Sequence, residues 1–151
     1  MAFLDSLKRW LNPEVKDAAQ PDPVLAASAA LMAEIMRADG TYDPQERETL
    51  LSLLMAQSGS SEEVGQALIA EAEAAVEDAH DLFQFTSLIN AHCDAETRVA
   101  IVEQLWKVAF ADGNLDQHEQ HLIKRIADLL YVRRSDVITS KQRARAAVLG
   151  A

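Results

Sequence analysis

Apolar residues recur along the chain at intervals of three and four, the spacing that places them on one face of an α-helix. In the segment 82–92, for example, Leu82, Phe85, Leu88 and Ile89 share such a face. No segment alternates apolar and polar residues as a half-buried β-strand does. The pattern predicts an all-α domain of about seven helices, over residues 24–37, 44–57, 60–77, 82–92, 95–111, a sixth that ends at 130, and 135–148.

Polar residues mark the expected ends of these helices. Ser60 and Glu63 have the spacing of a capping box, and Ser135 is expected to cap the last helix. Cys93 is expected at the end of the helix that precedes it. Because Asp22 suits an N-cap and Pro23 suits a first helical position, the domain is predicted to span residues 23–151.

The segment before the domain has a different pattern. Residues 2–11 are predicted to form a short amphipathic helix, whose apolar face carries Phe3, Leu4, Leu7, Trp10 and Leu11. Residues 12–22 contain prolines among polar neighbours and are interpreted as a linker. A helix this short is marginal alone, so it is expected to dock on its own domain, on a second chain or on a membrane interface.

Composition and charge narrow the function classes. Apolar residues make up 49% of the 151 residues, which supports a folded core. The net charge of −10 argues against nucleic acid as a main partner, because phosphate binding needs a basic surface. Cys93 is the only cysteine, which excludes an internal disulfide and a cysteine metal cage. With no membrane-length apolar run and no secretory signal pattern, a cytoplasmic location is expected.

The charge is unevenly distributed. Residues 1–132 carry a net charge of −14, whereas residues 133–151 carry +4. Two interpretations stay open for this basic end of the chain. It is either a solvated terminal helix or a segment that docks on an acidic face or an anionic surface.

One motif occurs twice, in residues 38–46 and 111–119, with an offset of 73 residues. Both copies have the pattern Ala-Asp-Gly-x-apolar-Asp-x-x-Glu. A repeat at a fixed offset usually means a repeated supersecondary unit. Each copy places three carboxylates around a glycine turn between two predicted helices.

Most of the motif has a purely structural explanation. Gly40 and Gly113 suit the left-handed residue that follows a helix. Asp43 and Asp116 suit the N-cap of the next helix. The acids three residues later, Glu46 and Glu119, occupy the capping-box position.

Asp39 and Asp112 do not fit this explanation. Each follows the last alanine of a predicted helix, where the helix dipole disfavours an acid. Neighbouring carboxylates in the same turn add repulsion, and a bound cation would offset it. Oxygen-only ligands suit a hard divalent ion, so Ca²⁺, Mg²⁺ or Mn²⁺ is expected. The motif lacks the alternating acids of an EF-hand loop.

Other residues offer weaker candidates for chemistry. His118 and His121 flank Glu119 and could bind Zn²⁺, although the first copy has no matching histidines and exposed surface positions are expected. His92 and Cys93 are adjacent and should point apart on a helix. The sequence has no glycine-rich phosphate loop and no nucleophile motif, so no enzymatic activity is expected.

The second copy and its surroundings resemble the TerB family of bacterial tellurite-resistance proteins. The residues that carry the resemblance are Leu105-Trp106-Lys107-Val108-Ala109-Phe110-Ala111-Asp112-Gly113-Asn114-Leu115-Asp116, then Glu119 and Ile126-Ala127-Asp128-Leu129-Leu130-Tyr131-Val132. Asp81-Leu82-Phe83-Gln84-Phe85-Thr86 and Met36-Arg37-Ala38-Asp39-Gly40 are also similar to that family. The resemblance covers about residues 24–140.

The resemblance implies a compact helical bundle built on two pseudo-symmetric helix-loop-helix hairpins. It also implies a divalent-cation site on one acidic surface. Carried over by position, the metal ligands are Asp39, Asp43 and Glu46 from the first motif, and Asp112, Asp116 and Glu119 from the second. The family is linked to stress resistance, to membrane-associated complexes and to J-domain co-chaperones, and this chain has no J-domain pattern.

Two function classes follow. The first is a non-enzymatic stress protein that binds a divalent cation at the paired loops. The alternative is a metal-free protein–protein interaction module, resembling a co-chaperone or an adaptor of a membrane complex. Both predict a protein partner, and residues 2–11 are a candidate for peripheral contact with the inner membrane. The sequence leaves the oligomeric state open.

Overall fold

A computed structural model describes residues 23–38, 44–59, 61–78, 82–111, 113 and 115–150. This part of the chain contains seven helices and no β-strand. The helices are α1 (Pro23–Arg37), α2 (Pro44–Ser58), α3 (Glu62–Asp78), α4 (Phe83–His92), α5 (Ala95–Phe110), α6 (Gln117–Leu129) and α7 (Arg134–Leu149). The all-α prediction is confirmed, and the predicted ends lie within two residues of these bounds.

The amphipathic helix predicted over residues 2–11 and the linker predicted over 12–22 lie outside the described residues. Both stay predictions. None of the seven described helices combines the length and the apolar composition that crossing a membrane requires.

Helix α1 lies at the centre of the bundle. From 25 to 33 every side chain is buried, and Ile35 and Met36 are buried as well. A helix that is apolar on all sides needs neighbours on all sides, and α1 contacts α2, α3, α4, α5 and α6. Ser28 satisfies its hydroxyl by donating to the carbonyl oxygen of Val24 at 2.8 Å. The small alanine side chains let the surrounding helices approach closely.

The core contains the positions that the apolar spacing predicted. On α4 and α5, Phe85, Ile89, Val102 and Leu105 are at most 1% exposed. Leu88 and Val99, also predicted to face inward, pack against this core while partly exposed.

The repeat seen in the motif extends over three helices. We call α1–α3 (residues 23–78) the first unit and α5–α7 (residues 95–149) the second unit, with α4 between them. In both units the third helix packs along the first, α3 on α1 and α7 on α5. The first two helices correspond at the offset of 73 residues, whereas α7 starts one residue early and corresponds to α3 at an offset of 72. Three buried positions of the two helices then coincide, pairing Gly65, Leu68 and Ala72 with Val137, Ser140 and Ala144.

Two predicted helix caps are placed differently. At the start of α3 the hydroxyl of Ser61 accepts from the backbone N–H of Val64 at 3.4 Å, so Ser61 is the cap, while Ser60 lies outside the described residues. At the start of α7 the N-cap is Arg133, and Ser135 lies inside the first turn. The prediction for Ser135 was therefore wrong. The prediction for Cys93 is confirmed, since it is the C-cap of α4.

A polar clamp holds the end of α6. The amide of Asn90 donates to the carbonyl oxygen of Leu129 at 2.9 Å. The guanidinium of Arg98 donates to the carbonyl oxygen of Leu130 at 3.2 Å and to the side-chain oxygen of Asn90 at 3.5 Å. Carbonyls at a helix end have no intrahelical partner, so these bonds satisfy groups that would otherwise be left unpaired.

Candidate functional site at the acidic hairpins

The hairpin between α5 and α6 has the geometry that its sequence predicts. Gly113 adopts a φ of +84°, the left-handed region that other residues avoid, and its N–H donates to the carbonyl oxygen of Phe110 at 2.9 Å. Asp116 is the N-cap of α6, and its carboxylate accepts from the backbone N–H of His118 at 2.7 Å. The turn is therefore set by glycine, and the start of α6 by an acid.

Glu119 has an environment that the capping explanation does not predict. It lies in the first turn of α6 and is only 1% exposed. Glu46, its counterpart in the first turn of α2, is 2% exposed. Ionised carboxylates are among the side chains least often buried, because they lose hydration on leaving water. The two units thus bury an acid at the same position of the repeat.

The periodicity of the sequence could have revealed this burial. Glu46 precedes Leu50 by four residues and Leu54 by eight, and Glu119 precedes Ile123 by four. Residues four apart lie on the same face of a helix, and these apolar residues are at most 1% exposed. Each glutamate therefore continues the inward face of its helix toward the loop.

The remaining acids of the site fall mostly outside the described residues. Asp39 and Asp43 of the first motif and Asp112 of the second are in this group. Pro44 begins α2, so the residue predicted to cap that helix, Asp43, immediately precedes it. Of the six predicted ligands, the structure therefore describes Glu46, Asp116 and Glu119.

An open groove of about 760 Å³ is lined by residues from both motifs. Gln45 and Glu48, in the first turns of α2, line it from one side. Lys107 and Ala111, at the end of α5, line it from another. Gln45 is two residues after Asp43, and Ala111 is the residue before Asp112. The chain thus leaves the first acidic loop and enters the second at positions that share one groove.

The described residues alone do not complete a metal centre. Among them, no group of three or more histidine, cysteine, aspartate or glutamate side chains is placed to hold an ion. The carboxylate of Asp116 already accepts one backbone hydrogen bond. Because a carboxylate has about four lone-pair sites, it can still coordinate an ion while it caps α6. The six predicted ligands are all carboxylates, a set that suits a hard divalent cation better than a metal that prefers thiolate or imidazole ligands.

The histidines at the second motif lie on the surface. His118 and His121 are both exposed, as expected from the sequence. His92 is exposed at the end of α4, next to the partly buried Cys93. These placements give no support to a zinc site or to a cysteine nucleophile in the described part of the chain.

Comparison with known proteins finds a family model that covers most of the chain. The family model described as Tellurite resistance protein TerB matches residues 25–142. This range includes both acidic motifs and ends within α7. No curated protein and no solved structure matches the chain.

Proposed function

The chain belongs to the TerB family, and from this premise we propose that it is a non-enzymatic, cytoplasmic stress protein that binds one or more divalent cations at its two acidic hairpins. The residues that would hold the ion are Asp39, Asp43, Glu46, Asp112, Asp116 and Glu119. A bound Ca²⁺, Mg²⁺ or Mn²⁺ would supply positive charge where the carboxylates crowd. Ordering of the two loops would then change the surface that the protein offers to a partner.

The shared groove is the observation that carries this proposal. Gln45 and Ala111 flank the two acidic loops in the sequence and line the same concavity. We expect the acidic loops next to these two positions to bring their carboxylates near one another, where like charges repel. A cation bound between the loops would offset this repulsion and so stabilise both.

The burial of Glu46 and Glu119 adds support. A carboxylate that continues an apolar helix face toward an acidic loop is held in a fixed position, because its neighbours are packed core residues. Ligands that are fixed before binding lose little entropy when an ion arrives. The two glutamates therefore suit the role of anchored ligands, with the aspartates of the loops closing from outside.

A thermal melt with added ions tests the proposal. At an ion concentration a hundredfold above the dissociation constant, binding adds about 2.7 kcal/mol, or roughly 5–10 °C for a domain of this size. The double variant Asp39→Asn plus Asp112→Asn should abolish the rise in Ca²⁺ and in Mn²⁺. The matched control, Glu63→Gln plus Glu96→Gln, removes the same charge from exposed first-turn positions and should keep the rise.

No rise for the parent protein with Ca²⁺, Mg²⁺ or Mn²⁺ at millimolar concentration would refute the proposal. An equal loss of the rise in the control variant would also count against it, because it would show general charge screening.

One observation favours the alternative, a metal-free interaction module. The carboxylate of Asp116 already caps α6 by accepting from His118 N–H. If capping is its whole role, Asp116→Ala lowers the unfolding free energy by about 1 kcal/mol, equally with and without ions. If Asp116 also binds an ion, the loss grows when Ca²⁺ or Mn²⁺ is present, and chemical denaturation in the two conditions separates the cases.

A further inference from the structure

A second concavity is formed by residues of the second unit alone. A groove of about 660 Å³ runs between α6 and α7, and Trp106 of α5 contributes to its lining. Four of the nine lining residues are cations, namely Lys124, Arg134, Lys141 and Arg145, and the only acid among the nine is Asp128. Such a basic concavity is unexpected in a chain whose net charge is −10.

The first unit has an apolar contact at the corresponding place. Leu51 and Met55 of α2 lie over Gly65 of α3, where a β-carbon would fall 2.7 Å from the Cδ1 of Leu51 and 3.4 Å from the Cγ of Met55. Ile69, one turn further along α3, is fully buried. Glycine therefore lets two apolar helix faces close on each other in the first unit.

The second unit replaces these apolar residues with charged ones. At the repeat offsets, Lys124 and Asp128 stand where Leu51 and Met55 stand in the first unit, and Lys141 stands where Ile69 stands. Val137 takes the place of the glycine and adds bulk between the helices. One scaffold thus carries a closed apolar seam in one copy and an open cationic groove in the other, so the groove is not a requirement of the fold.

The cations of the groove have no carboxylate partners in the described part of the chain. The ion pairs found there involve Glu34, Glu73 and Glu103, and none of them involves a residue of the groove. Asp128 is exposed and does not approach a cation within 4.0 Å there. In a partly enclosed concavity, unpaired charges of one sign focus the field and attract counter-ions.

Lys141 lies at the centre of this arrangement. Its Nζ donates to the side-chain oxygen of Gln120 at 3.1 Å and lies 5.2 Å from the centre of the Trp106 ring. Burial lowers the pKa of the Lys141 ammonium, and the nearby charges of Lys124 and Arg145 lower it further. The three cations are therefore close enough to repel one another, and an anion between them would relieve that repulsion.

Trp106, which contributes to the groove lining, has a hydrogen-bond donor without an acceptor among the described residues. The residue is fully buried, and its indole Nε1–H makes no hydrogen bond to any described residue. Buried tryptophan usually finds an acceptor for this group. An acceptor oxygen that reached the indole N–H would satisfy it.

We propose that the groove between α6 and α7 binds a phosphate group carried on a compact organic body. Guanidinium and ammonium groups from two helices suit a phosphate dianion, and the apolar side chains of Val137 and Ile138 suit the attached body. The volume is in the range of small-molecule sites. The phosphate is carried either by a free metabolite or by a lipid headgroup. This proposal is independent of the cation proposed for the acidic hairpins.

Fluorescence of Trp106 provides a local test. The chain has two tryptophans, so the full-length Trp10→Phe variant leaves Trp106 as the sole reporter. Phenyl phosphate and inorganic phosphate are titrated at constant ionic strength against chloride. We expect a saturable fluorescence change, with phenyl phosphate binding more tightly than inorganic phosphate because its ring contacts the apolar wall.

A matched pair of double variants locates the binding. Lys124→Gln plus Arg145→Gln removes one cation of the groove from each of α6 and α7 and should weaken binding at least tenfold. Arg125→Gln plus Arg143→Gln removes one exposed cation from each of the same helices, outside the groove lining, and should leave binding within twofold. Both variants change surface residues, so both are expected to fold.

A second experiment, with lipid vesicles, distinguishes a lipid headgroup from a free metabolite as the source of the phosphate. Sedimentation with phosphatidic acid vesicles that fails for Lys124→Gln plus Arg145→Gln, and persists for the control, indicates a lipid headgroup. Saturable binding of phenyl phosphate with the same variant dependence, but no sedimentation of the parent protein with the vesicles, indicates a free ligand. The proposal is overturned if neither probe binds, if both variant pairs weaken binding equally, or if only an acidic peptide competes for the site.

Discussion

The two units of this protein share one scaffold and use it differently. In each, the third helix packs along the first, and each buries a glutamate at the start of its second helix. The first unit is closed, with Leu51 and Met55 packed on Gly65. The second is open at the corresponding place, and cations line the opening. Features that both units keep are therefore candidates for a common role, and features that differ are candidates for a specialised one.

The charges of the third helices show the same division. Helix α3 contains six acids and no basic residue, whereas α7 contains four basic residues and one acid. The basic end of the chain is thus a helix packed on α5 through Val137, Ser140 and Ala144, with its cations turned outward and toward the groove. Packing of α7 and charge on α7 are separable properties, which makes the comparison testable.

Exchanging one residue between the units gives the largest expected effect. Ile69→Lys places an ammonium in the closed seam, where it loses hydration and gains no partner, and should lower the unfolding free energy by about 3–5 kcal/mol. The reciprocal change, Lys141→Ile, should alter it by less than about 1 kcal/mol, because the groove already accommodates an apolar wall. Urea denaturation of both variants measures the asymmetry. Equal losses would contradict the distinction between a closed unit and an open one.

The clamp on α6 gives the next largest effect. Arg98 corresponds to Leu25 of the first unit, which has no guanidinium to offer there. Arg98→Ala removes the two hydrogen bonds of the clamp and a third, from the guanidinium to the carbonyl oxygen of Asp94, and should lower the unfolding free energy by about 1.5–3 kcal/mol. Arg125→Ala, an exposed arginine on α6, should change it by less than about 0.5 kcal/mol. A similar small change for Arg98→Ala in chemical denaturation would show that solvent replaces the clamp.

The residues with a left-handed backbone after α2 and after α6 differ in type, and the difference in strain should be measurable as a difference in stability. Gly59 follows α2 with a φ of +66°, while Tyr131, shortly after the end of α6, has a φ of +56°. Tyr131→Gly should raise the unfolding free energy by up to about 1 kcal/mol, because relief of left-handed strain exceeds the added entropy of the unfolded chain. Gly59→Ala should lower it by about 1 kcal/mol, because alanine is strained at this positive φ, while the open space around Gly59 adds no steric clash. If Tyr131→Gly is destabilising in thermal melts, the exposed ring stabilises the fold by contacts that outweigh the strain.

The smallest effect is the pH dependence of one helix cap. Asp94 caps α5, and hydrogen bonds from Thr97 lower the pKa of its carboxyl. A carboxyl with a lowered folded-state pKa stabilises the fold above its ordinary pKa and loses that contribution as the pH falls through the folded-state value. Asp94→Ala should therefore lower the melting temperature at pH 7, and the difference from the parent should shrink below pH ~4. A difference that stays constant from pH 7 to pH 3 would contradict ionic capping.

Local patterns in the sequence were sufficient to predict the helices. The apolar periodicity of α4 and α5 is strong, so their ends fall within a residue of the prediction. The start of α7 was harder, because Ser135 is a good cap by type while Arg133 is the cap by position. Tyr131 and Val132 close the end of α6 with backbone bonds to Asp128 and Ala127, and this closure fixes where the next helix begins. Cap preference is weaker than such a constraint.

The local geometry of the candidate sites could be predicted from the sequence, whereas the two grooves could not. The spacing of the second motif was sufficient for the left-handed Gly113 and for Asp116 as a cap, because both depend on the local backbone. The groove that Gln45 and Ala111 share depends on how α2 and α5 pack, which no local pattern specifies. The basic groove likewise needs α7 to lie along α5 before its cations can line one concavity.

Paramagnetic broadening by Mn²⁺ tests the central claim, that the two acidic hairpins serve cation binding together. In a two-dimensional NMR spectrum of the full chain, the amide signals of Gly40 and Gly113 should broaden together at substoichiometric Mn²⁺, before signals elsewhere. The Asp39→Asn plus Asp112→Asn variant should show no such selectivity. Broadening that begins on the acidic helix α3, or at only one of the two glycines, would contradict the account.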